Sequence, residues 1–183
     1  MRIALPEAHQ IQPLAHLAEN YAPEIVRAGM NFSKTTYDKS KISLREFEGA
    51  RMRTAQINGC ELCQNFRAAR DLQGATVEGG SVTLNGPAPD EAFYQAIEDF
   101  RGSPILSERE KLAVEYADGM GQNPHGIAAD EDFWKRFKAV YSDDEIVDLT
   151  YCIACWMGLG RMAHVLGLDD VCAIPALRSQ AAA

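Results

Sequence analysis

Three Ser-x-x-Glu patterns constrain the fold more than any other feature of this sequence. They begin at Ser43, Ser107 and Ser142, and helical patterns of apolar residues follow them. In such a capping box, the serine hydroxyl and the glutamate carboxylate satisfy free N–H groups in the first turn of a helix. The patterns therefore predict three helices, the last of which ends at Gly167, a residue type suited to a helix C-terminus.

Helical signals also cover most of the remaining chain. The predicted helical segments are 14–18, 25–30, 43–57, 60–72, 90–100, 107–119, 130–140 and 142–167. The glycine-rich stretch 74–89 has weak strand character and predicts a loop or a short hairpin. We expect an all-α fold with short connections and a single domain over residues 1–183, with its core at about 45–168 and a helical extension at 1–42.

Charge and hydropathy exclude several classes of partner. The net charge of −8 disfavours duplex nucleic acids and anionic membrane surfaces. The most apolar stretch, 146–168, contains Asp148 and Arg161, which favours a buried core helix over a membrane span. Because Glu7 and two prolines interrupt the first fifteen residues, we predict no signal peptide and a cytoplasmic protein.

Five cysteines form two pairs with the same spacing and one single residue. The pairs are Cys60 with Cys63 and Cys152 with Cys155, and Cys172 stands alone. An odd number in a chain predicted to be cytoplasmic favours thiols over structural disulfides.

The first pair follows Asn58-Gly59, which predicts a new helix that begins near Cys60. Residues at i and i+3 share a helix face, so the two sulfurs can form or break a disulfide. The first turn of a helix favours a thiolate over a thiol. If the helix continues to about Leu72, Arg67 lies between the cysteines on the same face and Arg70 flanks it. Redox chemistry is favoured over the alternative, in which both cysteines pack in a core.

Glu48 is a carboxylate on an apolar helix face. Its same-face neighbours are Leu44, Met52 and Ala55. A buried carboxylate needs a partner, and burial favours proton exchange near neutral pH. One interpretation is an ion pair with Arg51 at i+3, and the other is a functional acid near the cysteines. The short connection between the two helices favours the functional interpretation.

The second cysteine pair lies in an apolar helical run, where free cysteine behaves as a small hydrophobic residue. A zinc site made by Cys152 and Cys155 with Cys60 and Cys63 is compatible with the spacing, but such pairs usually lie in exposed turns. We therefore expect core packing here, with no metal and no cofactor.

Several segments together resemble a known family. Glu48 lies twelve positions before Cys60, and the run Asn-Gly-Cys-Glu-Leu-Cys occupies 58–63. With Arg67, this segment resembles the AhpD-like alkylhydroperoxidase branch of the carboxymuconolactone decarboxylase family. Further similarity occurs at 103–110 and 142–150, so the resemblance covers roughly 45–168.

The resemblance implies an all-helical fold that assembles into homo-oligomers. It also implies that Cys60 and Cys63 cycle between dithiol and disulfide while reducing hydroperoxides or a partner's disulfide, with a thiol reductant and with Glu48 in the proton relay. The family's peroxidase motif usually carries histidine where this chain has Arg67, and some members carry another at Leu62. An arginine cannot shuttle a proton near neutral pH. Either Glu48 acts alone or another histidine, His125 or His164, substitutes.

The leading hypothesis is a thiol–disulfide oxidoreductase with peroxidase-like activity and an antioxidant role. Spacing leaves open whether Cys60 or Cys63 attacks the substrate. A second hypothesis is a lactone decarboxylase, which the CxxC pair disfavours. A third is a non-catalytic or redox-sensing helical oligomer.

Overall fold

The computed structural model describes residues 1–9, 13–72 and 81–168. The regular elements of these residues are helices, and they contain no strand, so the all-α prediction is confirmed. The helices are α1 (Pro13–Asn20), α2 (Pro23–Lys39), α3 (Leu44–Asn58), α4 (Glu61–Asn65), α5 (Ala68–Asp71), α6 (Glu91–Ala96), α7 (Glu108–Gln122), α8 (Pro124–Ala129), α9 (Glu131–Lys138) and α10 (Asp143–Leu166). Single 3-10 turns cover Glu7–His9 and Val82–Leu84.

Serine caps begin three of the four long helices, α3, α7 and α10, at the predicted positions. Complete capping boxes form at Ser107 and at Ser142, where serine and glutamate exchange hydrogen bonds with the backbone. At Ser43 the hydroxyl accepts the Glu46 N–H, but the Glu46 carboxylate pairs with Arg109 instead of completing the box. Local sequence therefore fixes where α3, α7 and α10 begin.

The main core lies where α3 packs against α7 and α10. Its fully buried side chains include Phe47, Phe133, Phe137, Leu149 and Ile153. Burial of large apolar side chains supplies most of the driving force for such packing, at roughly 1.5–3 kcal/mol for each. This arrangement brings the C-terminal end of α3, and the cysteine turn that follows it, against the C-terminal half of α10.

The second helix runs antiparallel along α10. Leu159 contacts the position where Gly29 would carry a Cβ, at 3.4 Å. Beyond the end of α2, the Lys41 N–H donates to the Asp148 carboxylate at 2.7 Å. The N-terminal half of α2 thus lies near the C-terminal half of α10. This part of the 1–42 segment packs onto the helices of the core.

The prediction of one helix over 60–72 is wrong, because the segment breaks at Phe66 and Arg67. Phe66 and Arg67 have extended backbones between α4 and α5. The Cys63 carbonyl, which a continuous helix would bond to the Arg67 N–H, accepts from the Arg51 guanidinium at 2.6 Å. The Arg67 N–H donates to Asp71 at 2.8 Å. Competing side chains therefore replace the hydrogen bond that would have continued the helix.

Two further segments compare with the predictions in different ways. The helix predicted over 90–100 is shorter, since α6 ends at Ala96 and hydrogen-bonded turns follow. In the glycine-rich stretch, residues 74–80 lie outside the described residues, and 81–89 form a loop with a 3-10 turn, which agrees with the loop alternative and not with the hairpin. Across the described ranges, no helix combines the length and apolar character needed to cross a membrane.

Arg109 joins four parts of the fold and provides a test of it. On α7, its guanidinium pairs with Glu46 of α3 and Glu145 of α10 and donates to the Val140 carbonyl. Arg109→Met would leave the buried Glu46 carboxylate without this partner, and one of its oxygens already has no hydrogen bond. We expect a loss of about 2–4 kcal/mol in the free energy of unfolding, measured by urea denaturation.

The matched control is Arg136→Met, which removes a largely exposed pair with Glu115. Exposed pairs contribute about 0–1 kcal/mol, so this variant should unfold close to the parent. Equal stabilities for the two variants would contradict the role given to Arg109.

Candidate redox site

A disulfide joins Cys60 and Cys63 at the beginning of α4. Their Cα atoms are 5.3 Å apart, within the range that a disulfide requires. Gly59 ends α3 with a left-handed φ of 69°, which turns the chain into the cysteine pair. The prediction that the two sulfurs can bond with each other is confirmed.

The two sulfurs differ in exposure and in hydrogen bonding. Cys60 is fully buried, whereas Cys63 is half-buried. Cys60 occupies the N-cap position, where its Sγ accepts the Cys63 N–H at 3.3 Å. Such a hydrogen bond stabilises negative charge on sulfur. Cys63 is thus the more accessible residue of the pair, and Cys60 is the one whose thiolate the backbone N–H would stabilise.

Glu48 and Arg51 form a fully buried ion pair behind this turn. The Arg51 Nε donates to Glu48 at 2.6 Å, and the side chains are 3% and 0% exposed. Although burial acts to lower the pKa of the Arg51 guanidinium, the charge and hydrogen bonds of Glu48 outweigh it and raise that pKa above its ordinary value. Arg51 therefore stays a cation, and its contact with Glu48 is the i+3 ion pair that the sequence offered as the alternative to function.

The same guanidinium connects Glu48 to the cysteine turn. Arg51 donates to the Cys63 carbonyl at 2.6 Å and to the Phe66 carbonyl at 2.7 Å. The ion pair and a connection from Glu48 through Arg51 to the cysteine turn therefore occur together. The sequence indicated Arg51 only as a partner of Glu48, because its contact with the cysteine turn joins residues twelve and fifteen positions apart.

Tyr94 is a site residue that sequence analysis did not identify. Its buried hydroxyl donates to Glu48 Oε2 at 2.5 Å, and the Ala68 N–H donates to the same oxygen at 3.4 Å. Burial, and then the charge of Glu48, raise the pKa of the Tyr94 hydroxyl well above its ordinary value. Tyr94 lies 46 positions after Glu48, so no local spacing could have related the two residues.

Arg67 contacts the Glu48 network through the aromatic ring of Tyr94. Its guanidinium lies 3.8 Å from the centre of the Tyr94 ring and forms two 2.9 Å hydrogen bonds with Glu91. These bonds lower the pKa of the Glu91 carboxyl below its ordinary value. Because the helix breaks at Phe66 and Arg67, Arg67 does not share a helix face with the two cysteines as predicted. Arg70, the second predicted cation, pairs with Asp71.

One candidate histidine lies beside the cysteine turn. A Cβ placed on Gly59 would be 3.3 Å from Nε2 of His164, which lies in the last turn of α10. His164 is exposed. His125 is an exposed residue of α8.

The second cysteine pair is part of the core. Cys152 and Cys155 are buried free thiols, and Cys155 hydrogen-bonds with Thr36 and Ser33 of α2. Burial raises the pKa of the Cys155 thiol to about 11 and raises that of Cys152 further. Within the described ranges, no group of three or more histidine, cysteine, aspartate or glutamate side chains could hold a metal ion. Cys172 lies outside those ranges.

Comparison with known proteins supports the fold. A solved structure of ATU0492 from Agrobacterium tumefaciens, a protein of unknown function proposed to be the antioxidant defence protein AhpD, is similar with a TM-score of 0.63. The match covers 81% of this chain and 91% of that one at 21% identity. The chain therefore has an all-α, AhpD-like fold, and a likeness at this identity shows the fold alone.

Sequence comparison identifies two uncharacterized relatives. The uncharacterized proteins MT2376 and Rv2313c, from two strains of Mycobacterium tuberculosis, are each 35% identical over 106 residues. That segment is 58% of this chain, and the chain spans about a third (32%) of the length of these curated relatives. No protein-family model matches the chain.

Tyr94→Phe tests the network around Glu48. The variant keeps the ring beneath Arg67 but removes the hydrogen bond to a buried carboxylate. Hydrogen bonds to charged groups contribute about 1.5–3 kcal/mol, and we expect a loss of that size in urea denaturation. Tyr151→Phe is the matched control, because its hydroxyl is on a largely exposed side chain. A Tyr94→Phe variant as stable as this control would contradict the geometry.

Thiol accessibility tests the difference among the cysteines. In the reduced protein, iodoacetamide should label Cys63 first, Cys60 more slowly, and Cys152 and Cys155 only on unfolding. The reason is that alkylation requires an accessible thiolate, which burial and a raised pKa both suppress. Time-resolved peptide mass mapping gives the order. Rapid labelling of Cys155 in the folded chain would show that the core assignment is wrong.

Proposed function

We propose that this chain is a thiol–disulfide oxidoreductase that reduces small hydroperoxides through Cys60 and Cys63, with an antioxidant role. The observation that carries the proposal is the asymmetric disulfide. Cys63 is a partly exposed residue, whereas Cys60 is buried and its sulfur accepts a backbone N–H. An exchange reaction needs both an accessible sulfur and a stabilised leaving thiolate. The AhpD-like fold supports the same assignment.

In the proposed cycle, the accessible sulfur reacts first. The Cys63 thiolate attacks the terminal oxygen of the hydroperoxide, the O–O bond breaks, and the alkoxide takes a proton and leaves as alcohol. Cys63 is then a sulfenic acid. The Cys60 thiolate attacks this sulfur, water leaves, and the disulfide forms. Two electrons pass from the dithiol to the hydroperoxide, and both sulfurs are restored to the oxidation level seen in the structure.

A thiol reductant closes the cycle. Its thiolate attacks the Cys63 sulfur, because that sulfur is the accessible one, and Cys60 leaves as the thiolate. The Cys63 N–H that Cys60 accepts stabilises the charge as it develops. A second reductant thiol then releases Cys63 and carries the new disulfide away, which balances the two electrons.

The remaining residues of the site act on the geometry of the turn and on proton transfer. Arg51 fixes two carbonyls of the cysteine segment, and Glu48 holds Arg51. Tyr94 donates to Glu48 and lies beneath Arg67, which connects this cation to the site. We assign proton handling to Glu48 with Tyr94.

Single-turnover chemistry tests the proposal. Reduced parent protein should consume one equivalent of tert-butyl hydroperoxide and form the Cys60–Cys63 disulfide. Cys63→Ser should consume peroxide at the rate of the Cys60→Ser/Cys63→Ser double variant. Cys60→Ser should react once and leave a Cys63 sulfenic acid that dimedone traps. Mass spectrometry of the peptides distinguishes these products, and Cys155→Ser, which removes a buried thiol, is the matched control.

Two outcomes would contradict the proposal in different ways. If Cys60→Ser is inert and Cys63→Ser reacts, the roles of the sulfurs are reversed. If the reduced parent consumes no peroxide, the peroxidase assignment fails.

A redox-sensing module is the second candidate, and one observation favours it. Arg67 occupies the place of a proton-shuttling histidine, and both oxygens of Glu48 already accept hydrogen bonds. A sensor would form the Cys60–Cys63 disulfide when peroxide is added, but a reductant would return it to the dithiol only slowly. Turnover with excess dithiothreitol separates the two functions, because an enzyme consumes many equivalents of peroxide and a sensor about one.

A further inference from the structure

The chain holds the guanidinium of Arg67 in one orientation. Its Nη1 donates to the carbonyls of Gln64 at 2.6 Å and Phe66 at 2.9 Å, and its Cζ lies 3.8 Å from the centre of the Tyr94 ring. The side chain is only 14% exposed. These contacts leave one edge of the guanidinium, formed by Nε and Nη2, to bind an anion. Such an edge binds a carboxylate with two parallel hydrogen bonds.

The carboxylate that occupies this edge belongs to Glu91. Its two oxygens accept one hydrogen bond each, from Nε and from Nη2 of Arg67, and both distances are 2.9 Å. Glu91 is the first residue of α6, and its side chain is 65% exposed. An exposed carboxylate is hydrated again when it leaves an ion pair, so pairs of this kind contribute little free energy. Exchange of Glu91 for a carboxylate from solution therefore requires little free energy.

The neighbouring cation, Arg70, has a partner that is fixed. Arg70 pairs with Asp71, whose side chain is 2% exposed and whose carboxylate also accepts the Arg67 N–H at 2.8 Å. Arg70 donates in addition to the Asn65 carbonyl at 2.6 Å. Of the two arginines that follow the cysteine pair, Arg67 is therefore the one whose anion is exchangeable.

Arg67 lies beside the more accessible cysteine. Gln64, whose carbonyl accepts a hydrogen bond from Arg67 Nη1, directly follows Cys63 in the chain. Standard backbone dimensions therefore place this nitrogen within about 12 Å of the Cys63 sulfur, whatever the side-chain rotamer. A small molecule whose carboxylate binds to Arg67 thus has its other end close to Cys63.

We propose that the Nε–Nη2 edge of Arg67 is a carboxylate subsite, and that the hydroperoxide reduced at Cys63 carries a carboxylate that displaces Glu91. Glu91 is then an internal competitor that occupies the subsite until an anionic substrate binds. The subsite follows from the contacts of Arg67, whereas the identity of its occupant as a hydroperoxide rests on the proposed function. Arginine suits this role because its planar fork matches the geometry of a carboxylate.

Binding of a small carboxylate to the oxidised protein tests the subsite without redox chemistry. The probe is 4-isopropylbenzoate, and shifts of backbone amide NMR signals give its dissociation constant. Glu91→Gln should bind the probe roughly fivefold more tightly than the parent, because the internal competitor loses its charge. Arg67→Met should bind it more weakly than the parent. Arg67→Lys keeps the charge but loses the two parallel hydrogen bonds, so it should also bind more weakly, and circular dichroism confirms that each variant is folded.

The matched control is Glu108→Gln. Glu108 is also an exposed glutamate in the first turn of a helix, where it pairs with Lys111 of α7. It lies at the other end of α3 from the cysteine turn, because Arg45 near the beginning of α3 pairs with Glu110 of α7. This variant changes the net charge by the same amount as Glu91→Gln and should bind the probe with the affinity of the parent.

A double variant separates direct contact from a general effect of charge. In Arg67→Met/Glu91→Gln, one positive and one negative charge are removed together, so the net charge equals that of the parent. A general electrostatic effect would restore the affinity of the parent. Direct contact should leave the double variant as weak as Arg67→Met, because removing Glu91 strengthens binding only where the guanidinium is present.

Reduction of two matched hydroperoxides tests the occupant. Cumene hydroperoxide with a para-carboxylate and the methyl ester of the same compound differ in charge. The reduced parent should consume the carboxylate form faster than the ester. The ratio of the two rate constants should rise roughly fivefold in Glu91→Gln, as the affinity for the probe does, and should fall in Arg67→Met.

Three outcomes would overturn the proposal: a probe affinity unchanged by Glu91→Gln, a double variant that binds the probe as tightly as the parent, or a rate ratio that does not depend on Arg67. If the probe binds as described but the reduced protein consumes neither hydroperoxide, the subsite is supported and the peroxidase assignment fails. The subsite and the proposed function can therefore fail separately.

Discussion

The ion pair between Glu48 and Arg51 is the interaction on which the site depends. Burying two charges is costly unless further hydrogen bonds satisfy them. Here the Tyr94 hydroxyl and the Ala68 N–H donate to Glu48, while Arg51 donates to the carbonyls of Cys63 and Phe66. The two contacts that Arg51 makes also bind the cysteine segment to α3. The hydrogen bonds of Arg51 therefore both offset the cost of burying its charge and position the cysteine segment.

This arrangement also accounts for the difference between the two sulfurs. Because Arg51 occupies the Cys63 carbonyl, the helix that starts at the cysteines ends after one turn, and the chain continues in an extended conformation through Arg67. The short helix keeps Cys60 beneath the turn, at its N-cap, and leaves Cys63 partly accessible. In a continuous helix, the Cys63 carbonyl would bond to the Arg67 N–H and would not be available to Arg51.

Much of the fold could be predicted because its signals are local. The hydroxyls of Ser43, Ser107 and Ser142 cap the helices that follow them, and Gly167 ends α10 with a positive φ. These interactions involve residues three or four apart, so their spacing is visible in the chain. The break after α4 could not be predicted in the same way, because the group that competes for the Cys63 carbonyl comes from the preceding helix.

The sequence by itself determined the all-α fold, the three capped helices and a cysteine pair close enough to bond, because each depends on neighbours within one helical turn. It also identified Glu48 as a polar residue on an apolar face. Only the tertiary structure decided that Glu48 is paired and connected to the cysteines at once, that Tyr94 completes the site, and that Arg67 pairs with Glu91. Those contacts join residues on different helices, and packing sets their distances.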